Sequence, residues 1–275
     1  MAPAPRVSVL PGDGLNFARF APDAGLAGFV ESYWTLDVER PPVELTALPD
    51  GLTDLIFVLG ARPAGYAAGP LTRPETYRHE RRVSLLGVSL QPGTAVAVLG
   101  IEAVSLPAGW TPLAELAGPA ADELAARLAA AGPVQARLAI LDTFLAARLR
   151  GAATDGRVST ALNTILDRSG DVAVERLAHE SAASPRNLGR LFDAWVGINP
   201  KRFARIVRVQ AALRVLMEEP GTDLTGLAAR LGFADHAHLT REIRTLAGAP
   251  PSELARRLHR DDPAVSFKRD DGAGP

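Results

Sequence analysis

The sequence contains no cysteine. That absence excludes a disulfide framework, a Cys-ligated zinc site, an iron–sulfur cluster and a thiol nucleophile. It leaves the redox compartment undetermined. No apolar run approaches the roughly 18 residues that span a bilayer, so no membrane partner is expected. The opening Met1-Ala-Pro-Ala-Pro-Arg6 has no apolar h-region, so no signal peptide is read and the expected location is cytoplasmic. Lysine occurs only at Lys201 and Lys268; with the alanine and proline load, this reflects coding composition rather than function. Histidine is scarce in the first half, where His79 stands alone in residues 1–156. A His-based metal site there is therefore disfavoured, leaving only an all-carboxylate site for a hard cation. Gly12-Asp-Gly14 lacks a following helix at phosphate-loop spacing, so no cofactor and no metal are expected.

What is present divides in two. A chain of 275 residues suggests about two domains. The net charge of −1 hides an asymmetry: residues 1–156 carry −4, residues 157–260 carry +5 and the remainder −2. A mildly basic second half suits a polyanion partner, although ordinary surface variation would produce the same balance.

Residues 1–110 read as β-rich. Phe29 to Val38, Thr53 to Leu59 and Arg82 to Leu90 are runs of apolar, aromatic and β-branched residues. Breakers at Pro11-Gly12, Pro41-Pro42, Pro49-Asp50-Gly51, Gly69-Pro70, Gln91-Pro92-Gly93 and Pro107 separate them. Such spacing predicts a small barrel or sandwich. Thr94 to Gly100 reads as a short helix. Residues 111–150 are Ala/Leu/Arg-rich with helical spacing, Leu138, Leu141, Leu145 and Leu149 forming one stripe, and read as a connector or dimerisation segment. Gly151 to Gly156 reads as a linker. Residues 260–275 have little to bury and are expected to be disordered.

Residues 157–258 read as about seven helices. Ser184 is a sound N-cap and Pro185 sits at N1, where its missing N–H costs nothing. In the helix that follows, Leu188 and Phe192 share one face and Arg186 and Arg190 another. The pattern returns about fifty residues on: Leu177-Ala178 becomes Leu227-Ala228, Leu188 and Phe192 become Leu239 and Ile243, and Arg190 becomes Arg241, with Asp235 as the cap. Two short helices joined by a tight turn, the second with an apolar back and a basic front, form a helix-turn-helix. Two copies at matched positions are far more specific than one. Between them, Pro200 to Glu218 would form a helix roughly 28 Å long. Successive major-groove faces of B-DNA lie about 34 Å apart.

On Leu177-Ala178, Ser184-Pro185-Arg186, Leu188, Arg190, Phe192, Gly197, Pro200, Phe203, Arg208, Ala212, Leu216, Leu227-Ala228, Gly232-Phe233, Asp235, His238, Leu239, Arg241, Gly248 and Pro251, residues 174–256 closely resemble the DNA-binding domain of the AraC-type (AraC/XylS) transcriptional regulators. The resemblance implies two helix-turn-helix units joined by one long helix, with both recognition helices entering adjacent major-groove segments. Ala182 stands where the first unit usually has its turn glycine, and an alanine at positive φ costs on the order of 1 kcal/mol. Gly189 replaces a longer residue on the first recognition helix. Both departures predict a weaker first unit. Leu239 and Ile243 replace the usual aromatics. Tyr33-Trp34, Leu48-Pro-Asp-Gly51, Thr53-Asp-Leu55, Gly69-Pro70 and Gly87-Val88 with Pro92-Gly93 resemble an N-terminal domain of unknown function found in a subset of the family. The family often senses an effector or dimerises there.

The expected fold is therefore α+β and multidomain: β-rich 1–110 with trailing helices at 111–150, then an all-α DNA-binding domain at 157–258. The expected function is sequence-specific regulation of transcription through double-stranded operator DNA, modulated by a small effector or by homodimerisation. No enzymatic activity is expected. The alternative is an enzymatic N-terminal domain fused to a DNA-binding module; missing cysteine argues against the alkyl-transfer repair regulators that resemble this family. A structural helical adaptor is a third reading. The DNA-contacting candidates are Arg186, Asn187 and Arg190 on the first recognition helix, and His236, Ala237, Thr240, Arg241 and Arg244 on the second. His236 and His238, two apart on a helix, point apart and make no metal pair. Asp50 and Asp54 suit turn formation better than acid–base chemistry. Trp34, Asp54, Arg73 and Gln91, aromatic or polar groups near predicted strand ends, are the ligand-pocket candidates.

Overall fold

The computed structural model describes residues 6–10, 14–107, 109–219 and 221–258, and the backbone of 265–267. The strands of the first half are β1 (Val9–Leu10), β2 (Leu15–Phe20), β3 (Val30–Val38), β4 (Val43–Ala47), β5 (Thr53–Leu59), β6 (Ala64–Ala68), β7 (Glu75–His79), β8 (Val83–Leu90) and β9 (Trp110–Pro112). Helices α1 (Ala95–Leu99), α2 (Leu113–Ala117), α3 (Ala120–Ala130) and α4 (Val134–Arg148) accompany them. β10 (Val265–Phe267) lies parallel to β2. The rest of the expected disordered tail, residues 260–264 and 268–275, lies outside the described residues.

The strands form two sheets, ordered β1-β4-β7 and β10-β2-β3-β8-β5-β6-β9. Neither order closes on itself, so of the two expected architectures the chain adopts the sandwich and not a barrel. The central strands of the larger sheet are buried on both faces, which explains why β5 and β8 read as continuous apolar runs. Their period of two sends Leu36, Ile56 and Leu85 toward Val43 and Leu45 of the small sheet. Tyr33, Leu55, Phe57, Leu86 and Val88 point the other way, onto α1, α3 and α4. The expected leucine stripe of α4 lies against this side, with Leu141, Leu145 and Leu149 buried, and Tyr33 donates to Asp142 Oδ1 at 2.6 Å.

The second half contains α5 (Gly156–Asp167), α6 (Val174–Glu180), α7 (Pro185–Val196), α8 (Pro200–Glu218), α9 (Leu224–Arg230), α10 (His236–Ala247) and α11 (Pro251–Leu258). α8 is the central post: Phe203, Ile206, Ala212, Leu213 and Leu216 are buried along it. The N-terminal half also enters this core. Val7, Leu10 and Leu48 belong to the same apolar cluster as Phe192, Phe203 and Leu239, so α8 carries the sandwich as well as the other helices.

Candidate nucleic-acid interface and inter-sheet cavity

The two helix-turn-helix units are built alike from local signals. α7 and α10 each have 12 residues. Ser184 and Asp235 cap them, each accepting from the third residue on, Asn187 N and His238 N. Both helices end on a left-handed glycine, Gly197 or Gly248. The preceding turns match too: Ala183 N donates to Ala178 O and Phe233 N to Ala228 O, each at 2.9 Å. Ala182 has φ 49° and Gly232 φ 68°, so the first unit does hold an alanine in the left-handed region. Both positions are exposed, but a Cβ at Gly232 would overlap the Asp171 carboxylate, which Arg208 holds. This is why the first turn accepts a side chain and the second does not.

Leu188, Phe192, Leu239 and Ile243 are fully buried and seat the two helices on the bundle. On the opposite face of α10, His236, Ala237, Arg241 and Arg244 are exposed and Thr240 is half-buried. Their spacing of i, i+1, i+4, i+5 and i+8 keeps them on one face. On α7, Arg186 and Arg190 are exposed and Asn187 is half-buried, with Gly189 adding no side chain and Asp193 acidic nearby. Among the described residues, none of Arg186, Arg190, Arg241 and Arg244 lies within 4 Å of a carboxylate, in contrast to Arg205 and Arg208. His238 faces inward, accepting from Ala234 N through Nδ1 and packing edge-on against Phe233.

Two positioning residues on α8 escape sequence reasoning. Arg205 grips Glu242 of α10 in a paired hydrogen bond. Arg208 donates to Gly170 O ahead of the first unit and to Gly232 O in the turn of the second. The signal was present in Arg208, which belongs to the motif series, but its partners are 24 and 38 residues away.

Residues 177–257 match the family described as a helix-turn-helix domain. This segment is an AraC-type helix-turn-helix domain. Residues 18–107 match a family described as a domain of unknown function (DUF6597). An uncharacterized HTH-type transcriptional regulator of Haemophilus influenzae is 29% identical over 123 residues, 44% of this chain and 41% of that one. An HTH-type transcriptional regulator of Mycobacterium tuberculosis is 34% identical over 80 residues, 29% of this chain and 30% of that one. The match thus spans less than half of either relative. The solved structure of a probable AraC family transcriptional regulator from Rhodopseudomonas palustris is 28% identical, covering 37% of this chain and 96% of that one with a TM-score of 0.34. The AraC-type domain occupies the C-terminal third here, and no described helix is long and apolar enough to cross a membrane.

The four ligand candidates part company. Trp34 and Asp54 meet at the wall of a cavity of about 100 Å³ between the two sheets. Pairing of Trp34 with Gly87 lays the indole across the glycine, where any Cβ would overlap it. Trp34 Nε1 then donates to Asp54 Oδ1 at 3.2 Å, and Ser89 Oγ donates to the same oxygen at 2.6 Å. Burial, reinforced by Asp50, pushes Asp54 up to about 7, against the hydrogen bonds and Arg19 that favour its charge. Arg73 is exposed in the turn before β7 and does not line this cavity. Gln91, at the end of β8, lines instead an open cleft of about 800 Å³ between the sandwich, α5 and α8. Strand-end position does not fix which end or face a side chain takes. The sequence reading also missed Arg19, which lines the cavity and is only 8% exposed.

Proposed function

We propose that the protein regulates transcription by binding operator DNA through α7 and α10, with its N-terminal domain modulating that binding in response to a small molecule. One observation carries the reading: two helix-turn-helix units repeat the same caps, buried pairs and turn conformations, and each presents arginines that have no carboxylate partner among the described residues. Arg186, Asn187 and Arg190 form one contacting set, and His236, Ala237, Thr240, Arg241 and Arg244 the other. Arginine reads guanine bidentately or pairs with phosphate, and both uses need a free guanidinium. An acidic N-terminal half repels DNA and suits a sensing role, without enzymatic activity.

Selection of genomic fragments by the full chain, followed by footprinting, tests this directly. The expected result is a footprint covering two major-groove segments about one helical turn apart, with affinity falling linearly in log salt. Absence of salt-dependent binding to any fragment would favour the structural adaptor. The mass of the free chain, alone and with the exposed face of α2 to α4 substituted, separates one chain from two and so tests dimerisation through residues 111–150.

A further inference from the structure

The inter-sheet cavity is lined by the buried Arg19 and Asp50 and by the half-buried Asp54, and Arg19 and Asp54 are each incompletely bonded. Strand register explains how they meet. Arg19 on β2 lies opposite Trp34 on β3, Trp34 opposite Gly87 on β8, and the next row of the same face brings Ser89 opposite Asp54 on β5. The indole, lying across Gly87, forms a floor with Arg19 on one side and Asp54 on the other. The Arg19 guanidinium donates to Ser8 Oγ at 2.5 Å, yet its Nε has no partner and no carboxylate lies within 4 Å among the described residues. Both hydrogen bonds to Asp54 end on Oδ1, leaving Oδ2 free. The unpartnered donor of the buried guanidinium is costly unless something satisfies it, and the free Oδ2 of the half-buried Asp54 is open to a donor in the cavity.

Both groups also adjoin the contact with α8. Ser8, which Arg19 holds, follows Val7, and the buried Gln210 of α8 accepts from Val7 N at 2.8 Å and donates to Val7 O at 2.9 Å and Pro49 O at 2.8 Å. Asp50 lines the cavity and accepts from Arg6 through its carbonyl, and Arg6 lies over the Phe203 ring. The Pro49-Asp50-Gly51-Leu52 turn therefore has the cavity on one side and α8 on the other.

We propose that this cavity binds a small dipolar molecule, with a carboxylate or equivalent acceptor on Arg19 and an ammonium or equivalent donor on Asp54, and that the Arg6–Ser8 segment transmits its occupancy to α8. The site is that of the small-molecule reading above, and the proposal rests on it. A cavity of about 150 Å³ holds benzene, so this one suits roughly four to six non-hydrogen atoms. A neutral apolar ligand would leave the Arg19 Nε and the Asp54 Oδ2 without a partner. A ligand acceptor competes with Ser8 for Arg19 and so loosens the segment that Gln210 holds.

The test needs no DNA, so its failure is separate from failure of the operator reading. The full chain is titrated with glycine and β-alanine, and with propylamine and propionate as one-ended controls, using tryptophan fluorescence and calorimetry. At least one zwitterion is expected to bind ten-fold or more tighter than either control, with the gain lost in Arg19→Met and in Asp54→Asn. Hydrogen exchange then reads the relay: the bound zwitterion should raise exchange at the Val7 amide, and Gln210→Met should abolish that response while retaining binding. Controls binding as well as every zwitterion, or no probe binding at all, overturns the ligand class. Unchanged exchange at Val7 on saturation overturns the relay.

Discussion

Arg205 of α8 and Glu242 of α10 are joined by two parallel hydrogen bonds, Nε to Oε2 at 2.8 Å and Nη2 to Oε1 at 2.9 Å. The pair ties the connecting helix to α10, at the flank of the face that buries Leu239 and Ile243. It holds the rotation of α10 about its own axis. Because Arg205 remains 40% exposed, Arg205→Ala is expected to cost the fold only about 1 kcal/mol in urea denaturation. DNA affinity is expected to fall by more than ten-fold. Arg205→Lys should fail to restore it, since a lysine cannot make the paired geometry. Full recovery with lysine would reduce the contact to simple charge.

Arg241→Ala is expected to weaken operator binding by about 1–3 kcal/mol and to relax preference at one base position. Arg190→Ala should cost less, because Gly189 and Asp193 leave α7 with fewer favourable contacts. Quantitative footprints of both variants check the order, and a larger loss from Arg190 would reverse it.

Phe192 is wholly buried and meets Phe203 edge-on at a centroid distance of 6.3 Å. Phe192→Ala should destabilise the full chain by roughly 3–5 kcal/mol through the cavity it leaves. A thermal melt with an unchanged midpoint would contradict the placement of α7.

The two turns give opposite expectations for opposite substitutions. Ala182→Gly relieves an alanine at φ 49° and should be neutral or stabilising by up to about 1 kcal/mol. Gly232→Ala imposes that strain and also collides with Asp171, which Arg208 holds at 3.1 Å. It should destabilise by more than about 1 kcal/mol. Chemical denaturation of the pair measures both signs.

Asp54 links stability to pH. Its carboxyl, raised to about 7 by burial and by Asp50, binds a proton more tightly folded than unfolded. The stability it contributes is fully present below the ordinary aspartate range of about 4 and is lost as pH rises toward 7. Denaturation midpoints should therefore decline from about pH 5 to pH 7.5, and Asp54→Asn should flatten that decline. An equal slope in the variant would assign the decline to other groups, Glu31 first, whose carboxyl burial also raises.

The helical domain was legible because its signals are local. Caps at Ser184 and Asp235, the 3.6-residue spacing of Leu188 with Phe192 and of Leu239 with Ile243, and glycines at helix ends each act within a few residues. The strands β3, β5 and β8 were legible as apolar runs. β6, with the sequence Ala-Gly-Tyr-Ala-Ala, and β7, Glu-Thr-Tyr-Arg-His, have little intrinsic reason to extend; pairing with β5 and β4 makes them strands. The same distinction governs the sites. The recognition-helix residues share one helix each, so periodicity alone groups them. Arg19 joins Trp34 and Asp54 through the register of four strands, and Gln210 reaches Val7 across 203 residues. Sequence by itself determined which segments fold locally and what faces they offer. Only tertiary structure decided which charged groups share a cavity and which turn stands between that cavity and α8, because long-range pairing leaves no periodicity in the chain.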